Sequence, residues 1–510
     1  MAKIKKLINN NETIYPITHE DAVFNSDGIS VGDALNDINT KMLKLEDVDD
    51  IEDLLHDKNR IIVNVKKYGL IGDGLFDNTE NMQNIINNVN DNNCVLIFPP
   101  GIYNMTNINI SKSNISIIGI GNVIIQTIKN TIHGLFNWDD NVYNNIMIKN
   151  ITFKGEMLKA NSILHFKGVD GLTVSNCNFV DCGGKVIIGA DGYVNKNILI
   201  DTCLFNNTVN GGIEIRPCKN IIIRNCMFKD IVGYSTEAAA HPIYLRADTT
   251  KENVQHTLKN INIYNNLFED IKNPLYGATY AIKVVVNSQF TTNEEVIIDN
   301  IVIANNNIDW KGGIYVNRAD NCYIKNNVIN VECDDDIRFI AILSDQINNN
   351  YITNNEININ TIAYSKCISI DSNINCNISN NNIRINYGSI LEATNTKSKN
   401  INSLNIFYNY ILSQGSSLTD YAIQLSSNID TFKFINNIQE CDIRCIHCGV
   451  NNISNVFVMN NTFIYIDNNV STGVGVRLDN ANITNKYQYS NTFINFENPK
   501  NENNDTVIKR

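Results

Sequence analysis

The chain has 510 residues, of which 43% are hydrophobic, and its formal net charge is −12. This length predicts about three ordinary domains, unless the chain is a repeat protein that grows in one dimension. The acidic balance excludes bulk duplex nucleic acid and an anionic membrane surface as general partners.

Residues 1–60 differ from the rest of the chain. The basic start, Met1-Ala-Lys-Ile-Lys-Lys, is not followed by an apolar run of signal-peptide length, and the sequence has no candidate transmembrane span. We therefore expect no classical export signal and no membrane partner. Further along, apolar residues follow the spacing of a short coiled coil, at Val31, Leu35, Ile38, Met42 and Leu45. An amphipathic helix packed on its own chain would have the same pattern.

A dense motif lies between residues 65 and 103. It contains Tyr68-Gly-Leu-Ile-Gly-Asp-Gly74 and, later, Phe98-Pro-Pro-Gly-Ile-Tyr103. Between these segments, Asp77 with Glu80 predicts the start of a helix. One apolar face of this helix is formed by Met82, Ile85, Ile86 and Val89. We expect the helix to cover the open N-terminal end of the strands that follow, because an open edge invites pairing with other chains.

A repeated phrase begins near residue 171, with the pattern Asn-Ile-x-Ile-x-Asn-(Cys/Asn)-x-(Phe/Ile). Its Cys or Asn position falls at Cys177, Cys203, Cys226, Asn266, Asn306, Asn327, Asn355, Asn381, Asn409, Asn461 and Asn491, with one more repeat near Asn437. Most repeats are about two dozen residues long, but the steps from Cys226 to Asn266 and from Asn266 to Asn306 are much longer. Such a period indicates one unit of supersecondary structure per repeat.

A second phrase alternates apolar and polar residues, as a strand with one buried face does. It occurs at Ile213–Arg216, Ile243–Arg246, Ile282–Val285, Ile314–Asn317, Ile340–Leu343, Ile368–Asp371, Ile423–Ser426 and Val476–Asp479. Two or three short strands per repeat predict a parallel β-helix of about a dozen coils, stacked roughly 4.8 Å apart.

Stacked coils place equivalent residues above one another. We expect an interior column of Phe153, Phe179, Phe205, Phe228 and Phe268, continued by Ile308 and Ile329. The Asn residues should form a hydrogen-bonded column at turns, with the cysteines of that column as small buried residues. The segment Cys441-x3-Cys445-x2-Cys448 with His447 is similar to a zinc motif, but no second cysteine pair follows, so we predict no metal and no cofactor.

The motif at residues 65–103 closely resembles the opening of the pectate-lyase-like β-helix superfamily. That superfamily includes many phage tail spikes, polygalacturonase-like hydrolases and polysaccharide lyases. The resemblance covers residues 60 to 497 and implies a right-handed all-β helix. It does not determine an activity, because these motif residues look structural in the family.

The segment Ile14-Tyr-Pro-Ile-Thr-His-Glu-Asp is similar to N-terminal attachment segments of phage tail proteins, which are usually trimers. The resemblance implies a virion attachment and trimerisation segment at 1–60, a β-helix at 61–497 with a capping helix and first strands at 61–103, and a polar tail at 498–510. It also implies a homotrimer in the phage tail, bound to tail or baseplate proteins through residues 1–60.

Outward-facing strand residues form two predicted columns. The first is His165, Glu214, Tyr244, Lys283, Tyr315, Ala341, Ser369, Gln424 and His447; the second is Lys167, Arg216, Arg246, Val285, Asn317, Leu343, Asp371 and Ser426. The two long repeats add loops over the part from Glu214 to Asn317, roughly at 232–242, 247–258 and 272–281. Long loops over a rigid scaffold are where binding sites usually form.

A glycosidase needs two carboxylates about 5–10 Å apart. Glu214 is the best single candidate, and the predicted catalytic partners within loop reach are Glu237, Asp248 and Asp230. Each also has a structural interpretation. Glu214 could form an ion pair with Arg216 or Arg246, Asp248 could pair with Arg246, Glu237 could be solvated, and Asp230 shares a turn position with Asp181 and Asp270.

The other polar residues of this surface are predicted to bind substrate. Arg216, Arg246 and Lys283 suit an anionic or phosphate-bearing polymer, and a lyase would use Lys or Arg as its base. Tyr244 and Tyr315 offer flat faces to sugar rings. The predicted binding set is completed by Asn317, His165 and His241.

Three functions compete. The first is a tail spike that binds and depolymerises a host capsule, exopolysaccharide or teichoic acid, as a hydrolase or a lyase. The second is a tail fibre of the same fold that only binds the polymer. The third is a cellular polysaccharide enzyme, which the attachment-like N-terminus disfavours. Because fold does not determine function, the sequence leaves the first two open, and we favour the first.

Overall fold

The computed structural model divides the chain into two units, Met1–Ile62 and Val63–Arg510. The described residues are 7–9, 12–14, 61–89, 93–128, 134–138, 141–155, 162–183, 186–189, 193–209, 211–232, 241–247, 257–269, 280–286, 297–309, 312–333, 339–361, 363–394, 400–413, 421–441, 444–448, 452–465, 476–477, 482–494 and 506–508. In the first unit, Leu7–Asn9 and Glu12–Ile14 pair as antiparallel strands. The predicted coiled coil at 31–45 lies outside the described residues.

The second unit is a right-handed parallel β-helix, as predicted. In each coil the chain passes through three parallel sheets in the same order. The first sheet has 16 strands, Ile61–Asn64, Cys94–Phe98, Ile115–Gly119, Tyr143–Lys149, Val169–Ser175, Asn195–Asp201, Cys218–Arg224, Thr257–Tyr264, Ile297–Ala304, Asn321–Lys325, Asn349–Thr353, Asn375–Ser379, Ile401–Phe407, Ile429–Ile435, Asn452–Met459 and Asn482–Tyr489.

The second sheet contains Asp73–Asp77, Gly101–Met105, Val123–Thr127, Thr152–Lys154, Asn178–Val180, Leu204–Asn206, Met227–Lys229, Leu267–Glu269, Asn307–Asp309, Val328–Cys333, Glu356–Thr361, Asn382–Ile385, Tyr410–Ser413, Ile438–Cys441, Thr462–Tyr465, Thr492–Ile494 and Thr506–Ile508. The third sheet has 14 strands, Ile108–Asn109, Phe136–Trp138, Leu164–Phe166, Ile187–Gly189, Gly211–Ile215, His241–Arg246, Ile282–Val285, Ile314–Asn317, Ile340–Asp345, Ser365–Asp371, Gly388–Thr394, Tyr421–Ser426, Arg444–Cys448 and Val476–Arg477. The second sheet therefore continues into residues 498–510.

The turn between the first and second sheets explains the abundance of asparagine. Its first residue has a positive φ of about 50–60°, usually at an Asn such as Asn176 or Asn225, and Asn tolerates this left-handed conformation better than most residues. The next residue points inward and forms the predicted column. From Asn266 to Asn491, each Nδ2 donates to the Oδ1 of the next Asn at 2.9–3.2 Å. The predicted additional repeat at Asn437 is part of this column.

The predicted aromatic column is confirmed. Consecutive rings from Phe153 through Phe179, Phe205 and Phe228 to Phe268 lie 4.7–5.3 Å apart and nearly parallel, and all five are fully buried. Ile308 and Ile329 continue the column in register, and the cysteines of the Asn column are buried. These residues fill a continuous core enclosed by the three sheets.

The N-terminal end of the β-helix is covered by helix α1, Thr79–Asn88, which follows a 3-10 helix at Val65–Tyr68. As predicted, Met82, Ile85 and Ile86 are buried. The side chain of Gln83 forms two hydrogen bonds of 2.9 Å with the backbone of Asn109, in the first strand of the third sheet. Its Nε2 donates to the carbonyl of Asn109, and its Oε1 accepts the N–H of Asn109. The N-cap is Asn78 rather than Asp77, although Asp77 accepts the N–H of Thr79 at 3.0 Å.

Candidate functional site

A group of polar and aromatic side chains interrupts the regular outer face of the third sheet. On the strand Gly211–Ile215, Ile213 and Ile215 enter the core, so Glu214 points outward. In parallel register Glu214 lies beside Tyr244, Tyr244 beside Lys283, and Lys283 beside Tyr315. We call the group the polar–aromatic cluster; it comprises Glu214, Arg216, His241, Tyr244, Arg246, Tyr280, Lys283, Tyr315 and Asn317.

Glu214 is held by both arginines of the cluster. Arg216 donates its Nε and a terminal nitrogen to Oε1 of Glu214, and Arg246 lies 3.6 Å from the same oxygen. Glu214 is only 1% exposed, whereas both arginines are partly exposed. A buried carboxylate between two guanidinium groups fixes their positions.

Lys283 lies among aromatic rings. Its Nζ is 4.9 Å from the ring centroid of Tyr244 and 5.8 Å from that of Tyr315. Burial, together with the charge of Arg246, lowers the pKa of Lys283 to about 8. This amine therefore changes charge much closer to neutral pH than an ordinary lysine does.

His241 connects Lys283 to the main chain. Its Nε2 lies 3.2 Å from Nζ of Lys283, while Nδ1 accepts the N–H of Tyr280 at 3.0 Å and lies 3.2 Å from the carbonyl of Tyr280. With Nδ1 as acceptor, Nε2 carries the proton and can donate to an uncharged amine. With Nδ1 protonated, Nε2 can accept from the ammonium ion. The imidazole can therefore bind Lys283 in either charge state.

Two more tyrosines complete the aromatic part of the cluster. The rings of Tyr280 and Tyr315 lie 5.2 Å apart, and burial raises the pKa of both phenols. Asn317 donates to the Tyr315 hydroxyl at 3.4 Å and accepts the N–H of Val286 at 2.7 Å. The tyrosines remain neutral at physiological pH, and they present apolar rings and hydroxyl groups of the kind that bind sugars.

The register of the next coil differs from the predicted one. Tyr315 pairs with Leu343 and Asn317 pairs with Asp345, so Leu343 belongs to the first column and Asp345 to the second. The predicted outward position of Ala341 is wrong, because this side chain is buried in the core. A further coil, Gly388–Thr394, adds Glu392 between Ser369 and Gln424.

The corrected register places two carboxylates side by side. Asp345 pairs with Asp371 on the next strand, so their Cα atoms lie about 4.8 Å apart. Burial is the largest cause of the raised pKa of Tyr315; the negative charge of Asp345 is the next cause that raises it, and the charge of Asp371 raises it as well. The pair therefore lies next to the polar–aromatic cluster. The shared pattern in Ile342-Leu-Ser-Asp345 and Ile368-Ser-Ile-Asp371 could have revealed it from the sequence.

Comparisons with known proteins agree with this architecture. Residues 62–239 match a family model described as rhamnogalacturonase A/epimerase, pectate lyase-like. Over these residues the chain is similar to pectate-lyase-like β-helix proteins, in agreement with the resemblance of the motif at 65–103. No curated protein matches this β-helix with significance.

Solved structures of other β-helices are similar over most of the chain. A mutant tailspike protein of E. coli bacteriophage HK620, in complex with a pentasaccharide, has a TM-score of 0.54 at 12% identity and covers 85% of this chain and 81% of its own. A family 28 exopolygalacturonase of Yersinia enterocolitica has a TM-score of 0.33 at 13% identity, with 88% and 78% covered. The ORF18 protein of Geobacillus virus E2 has a TM-score of 0.26 at 16% identity, with 89% and 67% covered. At these identities the likeness shows the β-helix fold alone.

The remaining predicted site residues do not join the described cluster. His165 lies in the first column, separated from Glu214 by Ile188. Asp230 follows the strand Met227–Lys229 at a positive φ of 50°, which is the turn position that the structural interpretation predicts. Glu237 and Asp248 lie outside the described residues.

Within the described part of the β-helix, no group of three or more His, Cys, Asp or Glu side chains could hold a metal ion. In the zinc-like segment, Cys441 and Cys445 are buried in the core with their sulfur atoms 2.9 Å apart. His447 occupies the outer face and stacks on Tyr421 at 4.0 Å. Cys445 and His447 therefore lie on opposite faces of the third sheet, and Cys441 faces the core from the second sheet. Nor does any helix in the described ranges have the length and apolar character needed to span a bilayer.

Proposed function

We propose that the protein is a bacteriophage tail spike or tail fibre that binds a host cell-surface glycopolymer along the third sheet and depolymerises it during adsorption. The observation that carries the proposal is the polar–aromatic cluster. Three cationic side chains and three tyrosines lie together on the outer face of the third sheet.

The cluster has the chemistry of an anionic sugar site. Arg216 and Arg246 are positioned by Glu214 and are partly exposed, so their positive charges can attract a carboxylate or phosphate. Tyr244 and Tyr315 flank Lys283 and offer surfaces to pyranose rings. The expected ligand is a capsule, exopolysaccharide or teichoic acid that carries regularly spaced negative charges.

Asp345 and Asp371 give the proposal a cleavage mechanism. One carboxylic acid would protonate the glycosidic oxygen as its bond to the anomeric carbon breaks. The other would attack that carbon, and water would then release the sugar from the protein. Adjacent positions on neighbouring strands bring the two side chains close together, which favours this double displacement over direct attack by water, since the latter needs more widely spaced carboxyl groups. In this mechanism Glu214, the first predicted catalytic residue, has a binding role instead.

The viral assignment rests on separate support. The tailspike of bacteriophage HK620 shares the fold over most of both chains, and residues 1–60 resemble a phage attachment segment. The proposal therefore includes a homotrimer in the virion, attached to tail or baseplate proteins through residues 1–60.

The experiment is to incubate the purified chain with polymer from the host surface and to measure both chain length and binding. New reducing ends would indicate hydrolysis, whereas an ultraviolet-absorbing double bond would indicate a lyase. We expect Asp345→Asn and Asp371→Asn to lower cleavage by about 10²–10⁴-fold with little change in binding. Glu214→Gln should weaken binding first, since it releases the two arginines.

Two control variants, Glu237→Gln and Asp248→Asn, test the other predicted carboxylates. If either abolishes cleavage while Asp345→Asn does not, the carboxylate pair proposed here is wrong. Binding without any shortening of the polymer would leave a receptor-binding fibre and remove the enzyme from the proposal.

A further inference from the structure

Exposed hydrophobic side chains are concentrated on the first coils of the β-helix. They form what we call the first-coil patch, which comprises Tyr68, Ile71, Leu75, Phe76, Ile102 and Ile120. Leu75 is 86% exposed and Tyr68 is 60% exposed. Ile61 and Ile62, in the first strand of the first sheet, are also exposed. In the other described coils the large exposed hydrophobic residues are spread out, at Tyr193, Tyr408, Ile438, Tyr487 and Tyr489. Concentrated apolar exposure of this kind marks interaction surfaces.

The middle of the first-coil patch is contiguous. Asp73 pairs with Ile102, whose backbone N–H donates to the carbonyl of Gly72 at 3.1 Å. The side chain of Ile102 packs so closely on Gly74 that a Cβ there would lie 3.4 Å from it. Ile102 therefore lies directly beside the bend that carries Leu75.

Four backbone groups around Leu75 already have side-chain hydrogen-bond partners. Oδ1 of Asp73 accepts the N–H groups of Leu75 at 2.8 Å and of Phe76 at 2.9 Å. Asn104 donates to the carbonyl of Gly74 at 2.7 Å, and Asn78 donates to that of Phe76 at 3.1 Å. These bonds hold Leu75 outward and block further strand pairing at this edge of the second sheet. A partner must therefore contact the apolar side chains.

We propose that the first-coil patch is a contact surface with a second copy of this chain. The sequence outside the described residues supports this occupant, because its coiled-coil spacing at 31–45 ends shortly before the patch begins. A parallel coiled coil would hold the first coils of several copies close together at high effective concentration. In a rotationally symmetric assembly, patches that lie close to the rotation axis meet the same patches of neighbouring copies. This assigns a surface that the predicted trimer alone does not specify.

The test is the mass of the full-length chain in solution at several concentrations. Leu75→Asp should raise the concentration at which the assembly dissociates by about tenfold or more, because it introduces a charge into the contact. Ile438→Asp is the matched control, since Ile438 is also exposed at 45% on the second sheet but lies many coils away. The far-ultraviolet circular dichroism of both variants should match the wild type, which separates loss of assembly from loss of folding.

A second measurement identifies what covers the patch. In Leu75→Cys, a short bismaleimide should link two copies into a species of twice the chain mass, and in Ile438→Cys it should not. The proposal is overturned if Leu75→Asp assembles like the wild type. It is also overturned if Leu75→Cys yields only links within one chain or to a different protein. None of these results depends on polymer binding or cleavage.

Discussion

The interior of the β-helix and the outer face of its third sheet use the same coil geometry in opposite ways. Inside, the coils repeat one residue type, as in the column from Phe153 to Phe268 and the column from Asn266 to Asn491. On the outer face, three successive coils carry Glu214, Tyr244 and Lys283. Repetition stabilises the stack, because each residue satisfies the next. An outward position that carries a different residue in each coil contributes little to the stability of the stack, so its side chains can be used to bind a ligand.

The largest expected effect comes from removing one ring of the interior phenylalanine column. Phe205→Ala should remove about 3–5 kcal/mol from the free energy of local unfolding, because its fully buried ring packs between two others, at 5.0 and 4.7 Å. Hydrogen exchange of amides in the flanking coils measures this loss. Phe457→Ala is the control, since that ring also stacks, on Tyr487 at 4.7 Å, but lies partly exposed on the outside. Equal losses in both variants would contradict the assignment of stability to the interior column.

The repetitive interior is also the part that the sequence could predict. The spacing of Phe179, Phe205 and Phe228 allows only one vertical alignment, so the column and the fold follow from it. The outer columns could be predicted only where strand starts are unambiguous. In the strand Ile340–Asp345 the true register is shifted by two residues, and Ala341 and Ile342 are both buried, so the alternation of inward and outward side chains breaks at the start of the strand. Asp345 was therefore missed as a site residue, and Ala341 was placed outside.

Tyr280 illustrates a second reason why some residues of the site could not be predicted from the sequence. Its backbone N–H and ring complete the environment of His241, yet it precedes the strand Ile282–Val285 and lies outside the alternating phrase. Side chains that reach a site from a turn carry no periodic pattern. Glu237 and Asp248 lie outside the described residues, so their roles stay predictions.

A smaller effect is expected on the outer face of the third sheet, where the charge of Lys283 should influence ligand binding. Because the pKa of Lys283 is lowered to about 8, the amine is charged below that pH and neutral above it. Affinity for an anionic polymer should therefore fall by about tenfold between pH 7 and pH 9, the loss expected for roughly 1.4 kcal/mol. Lys283→Arg keeps its charge throughout this range and should remove most of the pH dependence. Titration calorimetry at constant ionic strength measures both, and a flat wild-type profile would exclude a charged role for Lys283.

The smallest predicted effect concerns Tyr408, which occupies a turn position where most coils have asparagine. At the left-handed position before the Asn column, neighbouring coils have Asn380 and Asn436, but the coil between them has Tyr408 at a φ of 55°. Tyr408 is 62% exposed, so packing offsets little of the strain of this backbone conformation. Tyr408→Asn should raise stability by about 1 kcal/mol, and Asn436→Tyr should lower it by a similar amount. Thermal unfolding of the two variants measures both changes. If Tyr408→Asn is neutral or destabilising, the backbone conformation does not determine stability at this turn, and the Tyr408 ring is retained for a contact that the single chain does not contain.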